Sequence, residues 1–149
     1  MVEEIPAGDC VTRIVDSPHK WRPEEREFVD ATLFEFPGGE PESVVWRKYA
    51  PEIADVHSMG CERQREKRAA GRSTWTYEGA ITAQVKAIRD IATAEGSFAV
   101  EHAPDEGQWH VHVSMRAAEG VKLNKAHKMN LKEHLRRAFA ALEPHKCAS

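Results

Sequence analysis

Long apolar runs are missing from this chain. No uncharged stretch approaches the roughly 20 residues that a membrane-spanning helix needs. The first residues, Met1-Val2-Glu3-Glu4, are acidic and lack an apolar segment, so no secretory leader is read there. A cytoplasmic protein without a membrane partner is the expectation. Cysteine is scarce: Cys10, Cys61 and Cys147 are odd in number, far apart and without a C-x-x-C pair. That pattern argues against a disulfide framework and against a structural zinc module. His57 and Cys61 stand four residues apart and can share a helical face, but two ligands are only half a metal site. The nucleotide and hydrolase signatures G-x-x-x-x-G-K, G-x-G-x-x-G and G-x-S-x-G do not occur. Tyrosine is limited to Tyr49 and Tyr77.

What is present suits a folded domain. A hydrophobic fraction of 41% and a charged fraction of 30% over 149 residues allow one soluble domain with a real core. The net charge of −3 hides an asymmetry. Residues 1–60 carry 6 Lys/Arg against 13 Asp/Glu, a balance of −7; residues 61–149 carry 15 against 11, a balance of +4. An anionic partner would therefore meet the second half.

The most informative stretch is 98–115. Trp109, Val111, Val113 and Met115 alternate with Gln108, His110, His112 and Ser114, the period of a strand with one apolar face. Phe98 and Val100 alternate in the same way before the turn residues Pro104-Asp105-Glu106-Gly107, so a β-hairpin with a loop of about four residues is expected. Setting His102 opposite Trp109 places Val100 opposite Val111 and Phe98 opposite Val113. The other face then pairs Glu101 with His110 and Ala99 with His112. A slip of one residue would mix apolar side chains with the histidines. This register gathers Glu101, His110 and His112 as ligands for a divalent metal ion such as Zn, Mn or Mg, with Glu101 as third ligand or catalytic base. The alternative is an ordinary polar strand face.

His110-Val111-His112 resembles the histidine–hydrophobic–histidine strand motif of the HUH endonucleases. The resemblance implies two metal-holding histidines and a tyrosine that attacks a DNA phosphate. No tyrosine follows His112, so such a nucleophile would be Tyr77, in permuted order. His112-Val113-Ser114 is similar to one half of the paired His-x-Ser/Thr signature of the 2H phosphoesterases; no second copy occurs. Trp21-Arg22-Pro23 through Tyr49 is similar to small bacterial proteins and implies no activity.

Elsewhere the pattern predicts a strand-rich part over 10–49. It includes a strand at Val11 to Val15 and a hairpin over 27–48, whose first strand is Glu27 to Phe36. A helical part follows over 51–95. Arg63, Arg65, Lys67, Arg68 and Arg72 precede Trp75 and Tyr77, a basic and aromatic mixture that can grip single-stranded nucleic acid or simply stay solvated. Ile81, Val85, Ile88 and Ala92 make a helical stripe over Tyr77 to Glu95. The last helix is read over 130–143, capped by Asn130 with Glu133 three residues on. Lys125, Lys128, Lys132, Arg136 and Arg137 form a basic stripe able to meet phosphates.

The expected fold is α+β: antiparallel strands and hairpins packed against two or three amphipathic helices in a single domain. Three functions stay open. One is an accessory module whose basic helix face meets nucleic acid or an acidic protein, in a chain that associates with copies of itself. Another is a metal-dependent phosphodiesterase or nuclease built on His110 and His112, with Lys128 or Arg136 steadying phosphate. The third is a purely structural interaction domain.

Overall fold

The computed structural model describes residues 1–148 and shows an α+β architecture built on one antiparallel sheet. Strand β1 (Cys10–Ser17) is its centre. The remaining elements, in chain order, are β2 (Trp21–Arg22), β3 (Glu27–Phe28), α1 (Asp30–Leu33), β4 (Glu42–Trp46), α2 (Ile53–Ala69), β5 (Thr76–Gln84), α3 (Val85–Arg89), β6 (Gly96–His102), β7 (His110–Ala117), α4 (Lys125–Ala138) and β8 (Glu143–Pro144). The main sheet has the order β6-β7-β4-β1-β5-β8, and β2 and β3 form a separate ribbon.

Helices cover both faces, which is why β1 is buried along almost its whole length. Val11, Val15, Val44, Trp46, Ile81, Val111 and Val113 form one core with Leu131, Leu135 and Phe139 from α4 and its end. Full burial of Leu131 and of Leu135 contributes about 1.5–3 kcal/mol each. On the other face Val45 and Ala80 pack against Val56 of α2. That helix is polar, and its buried residues are Val56, Gly60 and Gln64, a stripe one residue wide at four-residue spacing.

Three expected elements are replaced. Residues Tyr77 to Glu95 are not a helix: Thr76–Gln84 pairs with β1 from Gln84↔Cys10 to Thr76↔Ser17, and only Val85–Arg89 is helical. The stripe of Ile81, Val85, Ile88 and Ala92 fits a helix locally, but eight pairings with a central strand outweigh that weak preference. Glu27 to Phe36 is not a long strand either. The flanks of β4 are taken by β1 and β7. The segment instead turns through α1 and folds Leu33, Phe34 and Phe36 into the α4 face of the core. The last helix starts at Lys125, five residues before the expected cap. Asn124 is the N-cap: its side chain accepts the His127 N–H at 2.8 Å, and the His127 ring reaches back to the Asn124 N–H.

The hairpin 98–115 forms, with its register moved by two residues. Val100 faces Val113, Glu101 faces His112 and His102 faces Val111. A shift of two keeps the side chains of the paired strands on their expected faces but changes their neighbours. The loop is correspondingly longer. Ala103 donates its N–H to the His110 carbonyl at 2.8 Å, and Pro104–Glu106 makes a single 3-10 turn.

Cys61 and Cys147 are joined in a disulfide across 86 residues, contrary to the sequence expectation. Spacing along the chain carries no information about such a pair. It is made by β8, which lays the C-terminal segment beside β5 and so beside α2. Among the described residues, no helix is long and apolar enough to cross a membrane.

Candidate metal and anion site on the α2 face

His110 and His112 are alternate residues of β7, so both imidazoles stand on the α2 face of the sheet. Val45 and Ser43 of β4 lie opposite them. The Ser43 hydroxyl is 2.7 Å from His110 Nε2, and the two rings meet edge to face with centroids 5.2 Å apart. The turn at Pro104–Glu106, followed by Gly107 at φ +143°, sends the Glu106 carboxylate back over the strand. It contacts His112 Nε2 and lies 3.9 Å from His110 Nε2. One ligand atom from each of Glu106, His110 and His112 falls within 4.8 Å of the others.

Burial is the largest influence on His110 and pulls its pKa below the usual value. Glu106 opposes that shift, while His112 and Arg63 reinforce it. His110 is therefore held neutral at pH 7, the form that ligates a metal. Trp109 stacks on its ring, with centroids 5.2 Å apart and planes 19° from parallel. Sequence alternation put Trp109 with Val111. In the structure it precedes the strand and swings to the histidine side, where it packs against the α2 core.

Next to His110 opens a cleft of about 350 Å³. Trp75 and Trp109 stand in its walls, and α2 with the following turn supplies Arg63, Lys67 and Arg72. None of these three cations makes a salt bridge among the described residues. Arg13 and Asp16 also reach the cleft and are both buried. The Arg13 guanidinium donates to the Ser43 carbonyl (2.9 Å), the Leu33 carbonyl (3.0 Å) and Glu42 Oε2 (3.0 Å), while its Nε has no partner. Asp16 Oδ1 accepts from Lys20 Nζ at 2.8 Å, and Oδ2 has no partner. Buried unpaired polar atoms are rare and mark sites where a polar ligand can be received.

The other expected site residues lie apart from this cluster. Glu101 faces His112 across the hairpin, but its carboxylate is exposed and accepts from Arg116 at 3.0 Å. Tyr77 is 1% exposed, and its hydroxyl sits 2.8 Å from His57 Nδ1 beneath α2. Burial pushes its pKa far above the ordinary 10. It stands on β5, three strand spacings from β7, on the order of 14 Å. The histidines and Tyr77 therefore do not form one centre.

The basic stripe Lys125, Lys128, Lys132, Arg136 and Arg137 is on α4, whose buried side packs against Val111 and Val113. His110 and His112 point to the opposite face. Lys128 and Arg136 thus cannot steady a phosphate held by those histidines, as the sequence reading had it. Two members of the stripe are paired, Arg136 with Asp30 (3.4 Å) and Arg137 with Glu133 (2.6 Å). Lys125, Lys128 and Lys132 line a separate groove of about 660 Å³ with Met129, which is 54% exposed.

Sequence reasoning missed Glu106, reading it only as a turn residue, and missed Ser43. The surviving signal was the Pro-Asp-Glu-Gly run so close before two alternate histidines. No known protein family, curated protein or solved structure matches the chain, so a functional reading rests on this geometry.

Proposed function

We propose that the α2 face of the sheet is a metal-dependent site for a phosphate ester, and that the protein is a phosphoesterase. Glu106, His110 and His112 would hold one divalent ion, and a three-ligand set leaves positions open for water and substrate. Such an ion lowers the pKa of bound water enough to supply hydroxide near neutral pH. The observation that carries the reading is the adjacency of this cluster to a cleft whose Arg63, Lys67 and Arg72 lack carboxylate partners among the described residues. Those cations suit the charge of a phosphoryl group. Trp109 and Trp75 suit a flat aromatic leaving group or base. The Ser43 hydroxyl sits on the His110 nitrogen that faces Glu106 and would have to turn away for that nitrogen to take the ion.

The test is metal content and turnover of the whole protein. One Zn or Mn per disulfide-bonded chain at neutral pH, with metal-dependent release of para-nitrophenol from its phosphate mono- or diesters, is expected. His110→Ala and His112→Ala should abolish both, and Arg63→Ala should raise KM. A wild-type protein that takes up no ion at this site would overturn the reading.

A second reading concerns α4. Its exposed Met129, between three lysines that make no salt bridge among the described residues, suits an acidic protein segment with an apolar side chain better than a bare nucleic-acid backbone. Lys128→Glu with Lys132→Glu should then remove salt-sensitive binding to acidic peptides. Unchanged binding, or preference for DNA or RNA, would count against it.

A further inference from the structure

A second cluster lies on the same face toward the opposite edge of the sheet, where the C-terminal segment crosses α2. His57 and Cys61 are one turn apart on that helix and share a face. β8 pairs with β5 through Gly79↔Pro144 and Ala80↔Glu143, and His145 donates its N–H to the Glu78 carbonyl at 3.0 Å. That approach is possible because position 79 is glycine: a Cβ there would lie 2.2 Å from the Glu143 carbonyl oxygen. The chain beyond it brings His145 and Cys147, two residues apart, to the face of α2 that carries Cys61. One ligand atom from each of Cys61, His145 and Cys147 lies within 4.8 Å of the others. The His57 ring stacks on His145, with centroids 4.3 Å apart and planes 13° from parallel. His57 Nδ1 lies 2.8 Å from the Tyr77 hydroxyl, so the stacked ring braces His145 rather than joining the cluster.

Two thiols and one imidazole in one partly buried cluster are three of the four donors of a tetrahedral zinc site. The disulfide and the metal compete for the same sulfurs. We infer that Cys61 and Cys147 are a redox-gated zinc site, with His145 as third ligand and a fourth position left to water: disulfide when oxidised, zinc thiolate when reduced. The reduction balances with a dithiol as co-reactant. Two electrons and two protons pass to Cys61 and Cys147, giving two thiols and the reductant's own disulfide. A Zn²⁺ ion then displaces the two thiol protons to solvent. The C-terminal segment stays tied to α2 in both states, so the redox state decides whether the chain carries metal here without releasing that segment. This site shares no residue with Glu106, His110 and His112, and stands or falls separately from the proposed phosphoesterase.

Cobalt is the probe, because thiolate ligation gives a charge-transfer band that a His and carboxylate site does not. Cys10 is the free cysteine, so the full-length chain is made with Cys10→Ser to leave only the pair. After reduction by a dithiol, removal of the reductant and anaerobic transfer, one Co²⁺ per chain should bind with a strong thiolate band of tetrahedral type, and Zn²⁺ should abolish it. The oxidised chain should show no such band. His110→Ala with His112→Ala should leave the band intact. His145→Ala can form the disulfide and so be checked for folding before reduction. It should weaken cobalt by at least the roughly tenfold that loss of an outer partner costs. Absence of the band in a chain whose two thiols are shown free, or an unchanged affinity in His145→Ala, would overturn the inference.

Discussion

Gly60 of α2 lies flat against the ring of Tyr77 on β5: a Cβ at Gly60 would come within 2.4 Å of Tyr77 Cε1. The next turn completes the contact, since Gln64 Oε1 accepts the Tyr77 N–H at 2.9 Å. That backbone group is free for it because β5 bulges at Glu78, where the β1 register jumps from Val15↔Gly79 to Asp16↔Tyr77. A glycine and a glutamine thereby seat an otherwise polar helix on the sheet.

Gly60→Ala tests that contact. On an exposed helix the change would add up to about 1 kcal/mol through propensity. Here the aromatic ring and the helix must part, and overpacking of this kind costs about 1–3 kcal/mol. A net drop in the calorimetric Tm is expected; a rise would mean that α2 does not sit this close.

Glu42 holds the wall formed by residues 29–41. Its Oε2 pairs with Arg13 at 3.0 Å, and its Oε1 accepts the N–H groups of Glu35 (2.6 Å) and Phe36 (2.8 Å). Both side chains of the pair are nearly buried, 10% and 12% exposed. Glu42→Ala leaves an uncompensated guanidinium and should cost about 3–5 kcal/mol in denaturant unfolding. Arg13→Met combined with Glu42→Leu should recover part of that loss, because no lone charge remains.

The ligand assignment separates two glutamates. Glu106→Gln should lower affinity for Zn or Mn by roughly tenfold or more, whereas Glu101→Gln, which removes only the exposed contact to Arg116, should leave it unchanged. Isothermal titration of both variants decides this, and the reverse ranking would return the role to Glu101.

On the acid side, His57 and His110 are both held below their ordinary pKa of 6.5, chiefly by burial. The unfolded chain therefore binds more protons than the folded one as pH falls. Their contribution is complete above about 6.5 and is lost as pH drops through the depressed folded values. Tm should decline from pH 7 toward pH 5, and His57→Gln should flatten that decline. A Tm independent of pH in this window would contradict the assignment.

On the alkaline side the sign reverses. Burial raises the pKa of Tyr77 above the 10 it has in the unfolded chain. Stability is intact below 10 and falls as pH climbs past it, because only the unfolded state readily releases the proton. Tyrosinate absorbance, compared with that of Tyr77→Phe, should show Tyr77 titrating only above pH 10. Tyr77→Phe should remove its share of the alkaline loss.

Much of this molecule was readable along the chain wherever a residue's neighbours in space are also its neighbours in sequence. The 98–115 hairpin is such a case. Alternation fixes which face Val111 and His112 occupy, and a two-residue register error leaves those faces untouched. Strand β1 and the buried line of Leu131 and Leu135 were visible for the same reason. The failures share the opposite cause. Tyr77 to Gln84 has a stripe compatible with a helix, and only the presence of β1 beside it selects the strand.

From its order of residues alone, this chain was committed to a mixed α+β core and to two imidazoles on one side of a strand, because period-two alternation is a local property of the backbone. Tertiary structure decided which carboxylate joins them. Glu101 is drawn off by Arg116, and a 3-10 turn delivers Glu106 instead. It also decided that Cys61 meets Cys147 and His57 meets His145, across 86 and 88 residues. Those meetings depend on sheet order and on close approaches at Gly60 and Gly79. Such packing is a sum over the whole fold, and no window of sequence contains it.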